Sequence, residues 1–227
     1  MIGIIGAMDE EVVLLKGMLQ QLKTEVRAGI EFYSGILSGN KVCLVRSGIG
    51  KVNGAMATTL LIELFSPKYI INSGCAGGTK DFLHVGDLVI STSVVHHDAD
   101  NTCFGYKQGQ IPREPVQYDA SSFLVERCQK IMGDIGISGH VGQIASGDSF
   151  MHKPEQIASV KERLPDVYAL DMEAAGIAQA ATKYQTPFVV ARALSDIAGK
   201  ESVDYQQFLP RAVTLSSDLV LSLVASL

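Results

Sequence analysis

Apolar runs of strand length alternate with amphipathic stretches along the whole chain. The runs read "MIGIIGA", "KVCLVRSG", "KYIINSG", "GDLVISTSVVH", "GHVGQIASG", "VYALDME" and "TPFVVARALSD". They are rich in Val and Ile, and most end in Gly, Ser or Asp. Several are apolar at successive positions, the pattern of strands covered on both faces. Between them lie segments with helical spacing. The first, 10–22, is apolar at 12, 15, 19 and 22; the others are 51–65, 121–135, 154–164, 172–184 and 205–227. The alternation continues to the end without a linker, repeat or low-complexity tract. It predicts one α/β domain over residues 1–227.

In an open α/β sheet a ligand sits outside the carboxyl ends of the strands, so the residues just after each apolar run carry the chemistry. They are Gly6-Ala7-Met8-Asp9-Glu10-Glu11, Ser47-Gly48-Ile49-Gly50, Asn72-Ser73-Gly74-Cys75-Ala76-Gly77-Gly78, Ser146-Gly147-Asp148-Ser149-Phe150-Met151, Asp171-Met172-Glu173 and Ser195-Asp196. Glycines recur there, where backbone can approach a ligand closely. Ordinary structural roles compete with functional ones at each point. Asp9 and Glu10 at a helix start complement the macrodipole. Glu11 begins the run whose apolar positions face the core, and so points inward. "SGCAGG" also reads as a tight turn, and Asp196 as a helix N-cap. Glu173 enters an Ala-rich, buried helix and needs a partner there. Taken together, Glu11, Glu173 and Asp196 fall at one rim of one sheet.

Composition narrows the function. A formal net charge of −5, few aromatics and no Trp argue against nucleic-acid binding, which calls for a basic face or a stacking platform. Cys43, Cys75, Cys103 and Cys128 stand far apart, with neither a zinc spacing nor a disulfide framework. No charged leader precedes a long apolar stretch, and no uninterrupted apolar run reaches membrane-spanning length. The expectation is a reduced, soluble, cytoplasmic protein.

The motifs "GIIGAMDEEV", "SGIGKVNGA", "INSGCAGG", "HHDAD…FGYKQGQIP", "SGDSF", "DMEAAGIA" and "VVARALSD" resemble those of bacterial 5′-methylthioadenosine/S-adenosylhomocysteine nucleosidases, in the family's order and across nearly the whole chain. The resemblance implies the nucleoside phosphorylase fold, with a central mixed, partly barrel-like sheet surrounded by helices. It implies a homodimer that hydrolyses the N-glycosidic bond of a small-molecule nucleoside, releasing adenine and a 5-thioribose, with no metal or cofactor. Related enzymes tolerate varied 5′ substituents, so 5′-deoxyadenosine or a futalosine-type nucleoside joins the candidate substrates.

By the same resemblance Asp196 protonates adenine at N7, Glu11 activates water, and Glu173 accepts hydrogen bonds from the ribose hydroxyls. Phe150 stacks on adenine, and the Met151 backbone reads its edge. Met172 packs on the ribose, while Met8, Ile49 and Phe208 wall the 5′ substituent. Cys75, Ala76 and Gly77 join the substrate-binding residues, and Arg192 and Ser195 support the acid. Phe104 and Pro112 reach across the dimer. For the apolar members, ordinary core packing is the competing role. The chemistry fits these residue types: a carboxyl kept protonated by burial can serve as acid, and hydrogen bonds to the sugar stabilise oxocarbenium character.

Cys75 stands where the family carries Ser, and Asp171 where it carries Glu. "DIAGKESVDYQQF" is one residue shorter than in some members, which shifts the alignment of Tyr205 and Phe208. Two rivals are a phosphorylase of the same fold and a non-catalytic nucleoside sensor. A phosphorylase needs an anion site beside the sugar. This chain places Asp9, Glu10 and Glu11 there, and Arg27 and Arg46 are the only arginines in its first hundred residues.

Overall fold

The computed structural model describes residues 1–197 and 203–227, the side chains of 203–206 excepted. The chain runs β1 (Ile2–Gly6), α1 (Asp9–Met18), β2 (Gln20–Arg27), β3 (Ile30–Leu37), β4 (Asn40–Arg46), α2 (Lys51–Phe65), β5 (Tyr69–Gly78) and β6 (Leu88–His96). It continues through a 3₁₀ turn at Thr102–Phe104, β7 (Tyr118–Asp119), α3 (Ser122–Ile135), β8 (Gly139–Ser146) and α4 (Pro154–Arg163). It ends with β9 (Val167–Asp171), α5 (Ala174–Lys183), β10 (Phe188–Ile197) and α6 (Val203–Ser226).

All strands join one mixed sheet. Along it the order is β10-β6-β8-β9-β5-β1-β4-β3-β2, and β10 also pairs with β5, closing β5, β10, β6, β8 and β9 into a ring. This is the expected partly barrel-like sheet with helices around it. The parallel seams β1–β4, β1–β5 and β10–β5 align four carboxyl ends. The antiparallel seam between β5 and β9 joins Gly77 to Leu170 and Gly78 to Ala169, so the two strands meet tip to tip at their carboxyl ends. That crossing brings the ends of both strand sets to one rim.

Three details differ from the sequence reading. The helix expected over 10–22 stops at Met18, where Leu19 turns extended, and residues 20–22 open β2. The unforeseen strands β2 and β3 form hairpins with β3 and β4. Their two-residue loops, Ala28-Gly29 and Ser38-Gly39, all have positive φ, as twisted hairpins require. β2 is almost wholly exposed, so it shows no apolar run to read. The glycine-rich "SGCAGG" is not a tight turn but the end of β5.

Apolar side chains fill both sides of the sheet. One core gathers residues of α1, α3 and α6, and the other gathers residues of α2 and α5. Gln207–Ser226 in α6 is long and apolar enough to span a membrane by composition, with mean hydropathy 1.4. Here Leu219, Val220, Leu223 and Val224 are fully buried, so it packs as a core helix. On the opposite side α5 lies so close to α2 that a Cβ on Gly176 would collide with the Lys51 carbonyl oxygen. Because that neighbour is backbone, Gly176→Ala is expected to destabilise the protein by about 1–3 kcal/mol. A lowered urea midpoint would register this; an unchanged midpoint would show that the helices can separate freely.

Candidate active site

The rim holds a cavity of about 320 Å³. Its wall includes Glu11 from α1, Cys75, Ala76 and Gly77 from β5, Glu173 ahead of α5 and Asp196 from β10. Local structure aims each of them. Glu11, Val12 and Leu15 are the buried stripe of α1, so the third acid of its first turn faces inward. Asp9 and Glu10 are exposed. In β10 the register against β5 slips between Leu194 and Asp196. Such a bulge re-aims the side chain that follows it. Asp196 is therefore a strand residue pointed into the cavity and not the N-cap of a helix.

Glu11 is 5% exposed and held by backbone alone. Its Oε2 accepts from the N–H groups of Ala7 at 2.7 Å and Met8 at 3.2 Å, and its Oε1 from the Cys75 N–H at 3.0 Å. Gly74 makes room, since a Cβ there would lie 2.5 Å from Glu11 Oε1 and 2.7 Å from Arg192 Nη1. Burial pushes the Glu11 pKa above its ordinary 4.5, although the Arg192 charge and the three N–H donors oppose this.

Behind the cavity Arg192 is completely enclosed. It donates from Nε and Nη2 to Asp171 Oδ2 at 2.8 and 2.5 Å, and from Nη2 to Asn72 Oδ1 at 2.8 Å. Asp171 Oδ1 accepts from Ser146 Oγ at 2.5 Å. Glu173 finds the partner its position demanded. Its Oε1 accepts the Gly50 N–H at 3.1 Å, and its Oε2 lies 3.7 Å from Arg192 Nη2. Burial, then the neighbouring Asp171 charge, raise the Glu173 pKa to about 7. Ser195 Oγ donates to Asp196 Oδ1 at 2.9 Å and lies 3.5 Å from Ala76 O.

A family model described as the phosphorylase superfamily matches residues 1–225. A 5′-methylthioadenosine/S-adenosylhomocysteine nucleosidase of Oceanobacillus iheyensis is 52% identical over 98% of each chain. This chain belongs to that nucleosidase family. Among solved structures, the Colwellia psychrerythraea nucleosidase in complex with adenine has a TM-score of 0.97 and 42% identity, covering 100% of this chain and 95% of its own. The Neisseria meningitidis nucleosidase in complex with methylthio-immucillin-A has a TM-score of 0.97 and 40% identity, covering 100% and 99%.

Not every position singled out on the nucleosidase motifs meets the cavity. Met8, Ile49, Phe150, Met151, Met172 and Ser195 line it. Phe150 is 49% exposed and stacks on His152. Arg192 is sealed behind the wall. Phe208 is half-buried on α6 and outside the lining, and Phe104 and Pro112 are exposed away from it. Residues 198–202 and the Tyr205 side chain lie outside the described residues. Motif reading did not assign roles to Asn72, inside β5, and Ser146, at the end of β8, small polar residues whose partners lie far away in sequence. Cys75 contributes its N–H to Glu11, while burial and then the Glu11 charge push its thiol pKa far up and keep it neutral.

Replacing Arg192 by Met strands several buried acids. The expected cost at pH 7 is about 3–5 kcal/mol, as for one partner removed from a buried ion pair. The deficit should shrink at pH 5. An acid whose folded pKa is raised loses stability as pH rises from its unfolded value toward its folded one. For Glu173 that window runs from 4.5 to about 7, and loss of Arg192 pushes its upper end higher. Urea unfolding at the two pH values measures this; an equal deficit at both would make Arg192 a packing residue only.

Proposed function

We propose that the whole chain, 1–227, acts as one domain, an N-glycosyl hydrolase. It releases adenine from 5′-methylthioadenosine, S-adenosylhomocysteine and 5′-deoxyadenosine, leaving the 5-substituted ribose. The observation that carries this is Glu11, a carboxylate pinned by three backbone donors on the cavity wall that also holds Asp196 and Glu173. A water held by Glu11 attacks the anomeric carbon and gives up a proton to the Glu11 carboxylate, while the bond from that carbon to adenine breaks. Asp196, with Ser195 donating to it, protonates adenine at N7 as the base departs. Glu173 accepts from the ribose hydroxyls, and these bonds strengthen as positive charge grows on the ring. A raised pKa makes Glu11 a stronger base than an ordinary carboxylate.

Phe150 supplies the stacking face for adenine and the Met151 backbone its edge, with Met172 against the ribose. Met8, Ile49 and Phe208 accommodate the 5′ group, Phe208 only through a rearrangement that brings it to the cavity. The phosphorolytic alternative is disfavoured on charge. No Lys or Arg lines the cavity among the described residues. Arg46 is engaged by Asp9 and Glu31, each at 2.7 Å. We further propose a homodimer acting in the cytoplasm in methionine salvage. Phe104 is 78% exposed, and Val52 and Met56 leave an apolar face on α2. These suit a surface covered by a second copy, with Phe104 and Pro112 reaching the partner's site.

Adenine release from 5′-methylthioadenosine should proceed equally with and without phosphate. Glu11→Gln and Asp196→Asn should each lower kcat by about 10²–10⁴-fold, the range of a lost general acid or base. The acid limb of the kcat profile should lie above pH 4.5, in the direction of the raised Glu11 pKa. Release that requires phosphate and yields a sugar 1-phosphate would establish the phosphorylase, and binding without turnover the sensor.

Cys75→Ser should leave turnover unchanged or raise it. A hydroxyl is a better hydrogen-bonding group than a thiol, and the N–H that anchors Glu11 is retained. A large fall in kcat for this variant would show that the thiol itself is needed.

A further inference from the structure

The proposed substrate contacts ride on segments far apart in sequence: the turn 47–50 ahead of α2, and the loop 147–151 after β8. Lys51 joins them, together with Asp98 just beyond β6. Lys51 Nζ lies 2.5 Å from Asp98 Oδ1 and 3.8 Å from Asp148 Oδ2. The Lys51 backbone N–H donates to Asp148 Oδ1 at 2.8 Å. Asp98 Oδ2 in turn accepts the Asp148 N–H at 3.0 Å. Both ends of Asp148 are thus held, its amide by Asp98 and its carboxylate by Lys51.

The Lys51 side chain is 17% exposed, against 35% for Asp98 and 53% for Asp148, so solvent partly screens the ion pairs, and the two backbone N–H bonds at Asp148 give the cluster its fixed geometry. At the root of the loop, His97 N–H donates to Ser146 O at 2.9 Å, and Gly147 N–H to Asp171 O at 3.3 Å. The His97 ring fills the space where a Gly147 Cβ would stand. The root is closely packed, whereas Asp148, Ser149 and Phe150 are exposed; the Asp148 anchors hold the near end of this stretch, and Phe150 also stacks on His152. On the other side, Gly50, the residue before Lys51, donates to Glu173.

We propose that Lys51 is a positioning residue: with Asp98 it clamps Asp148, and so fixes the base-stacking loop of Phe150 and Met151 relative to Glu173 on the sugar side. The clamp rests on the hydrolase reading for what the two sides bind. It touches neither base nor sugar, and it holds the loop alike in ground and transition states. Its loss therefore weakens binding more than it slows the chemical step.

Lys51→Met keeps the stem and the backbone N–H but removes the ammonium; Asp98→Asn keeps the shape and removes the charge. Each should raise the KM for 5′-methylthioadenosine about tenfold, with kcat reduced less than about threefold. The double variant should be little worse than either single one, because both break the same clamp. Lys51→Arg should recover most of the loss. Adenine affinity by calorimetry should weaken in parallel, and amide exchange at Asp148 should accelerate in Lys51→Met.

Unchanged KM, adenine affinity and exchange would overturn the clamp. So would a joint fall in kcat and thermal stability that Arg does not rescue, which marks a merely structural residue. If Lys51→Met does not fold, Asp98→Asn breaks the same clamp from its other side and decides the question by the same readouts. Adenine binding needs no turnover, so it separates the two ideas. A wild type that binds adenine about tenfold more tightly than Lys51→Met yet releases none from the nucleoside would sink hydrolysis and keep the clamp.

Discussion

Arg192 enables the rest of the site to exist. Its guanidinium takes Asp171 through two donors, meets Asn72 and lies near Glu173, and its charge also acts on Glu11. Removed from water singly, each of those acids would cost several kcal/mol. One cation cannot balance three carboxylates, however. Burial raises the pKa of Glu11 and of Glu173, the Asp171 charge adds to the shift at Glu173, and Arg192 opposes both. The site gathers more acidic than basic groups, and Glu11 and Glu173 hold protons more tightly than ordinary carboxylates do. A developing oxocarbenium ion would find a preorganised negative environment, while a phosphate anion would meet repulsion. On the proposed hydrolytic reading, the same electrostatic imbalance would favour water over phosphate as nucleophile and stabilise the sugar cation.

The fold explains how acids so far apart in sequence come under one arginine. Parallel pairing of β1, β5 and β10 carries Glu11, Cys75 and Asp196 to a common edge. The tip-to-tip crossing of β5 with β9 adds Asp171 and Glu173 from the other strand set. Two local devices finish the aiming: the bulge that turns Asp196, and Gly74, without which Glu11 and Arg192 could not share the space.

Much of this is legible in residue order. Strands buried on both faces show as unbroken Val and Ile runs, and the rim residues follow them directly, so the buried acids are identifiable from the chain alone. The hairpin strands β2 and β3 are not: β2 is an exposed edge strand with no apolar signature, and β3, though half-buried, has its apolar run broken by Glu31, Ser34 and Gly35. Their signals are the positive-φ pairs Ala28-Gly29 and Ser38-Gly39, which read as turns only once two-residue loops are sought. The links made by Asn72, Ser146 and Lys51 are hidden for a different reason. Each depends on which elements meet in space, and sheet order is a long-range property that local periodicity does not encode. Phe208 marks a further boundary: its motif suggests a pocket wall, while the helix carries it outside the cavity lining.

The two departures that the motif resemblance marks, Cys75 and Asp171, fall on the carboxylate network: a backbone contact serves at 75, and side-chain partners serve at 171. At 75 the group that matters to Glu11 is an amide N–H, which every residue but proline provides. At 171 the shorter acid still reaches Arg192 with Oδ2 and Ser146 with Oδ1, and the Ala174 N–H lies 3.3 and 3.4 Å from its two oxygens. A site whose geometry is held by main-chain donors and one arginine tolerates side-chain drift around it. Glu11, Glu173 and Asp196 face the cavity themselves, and no backbone group can take the place of a carboxylate there.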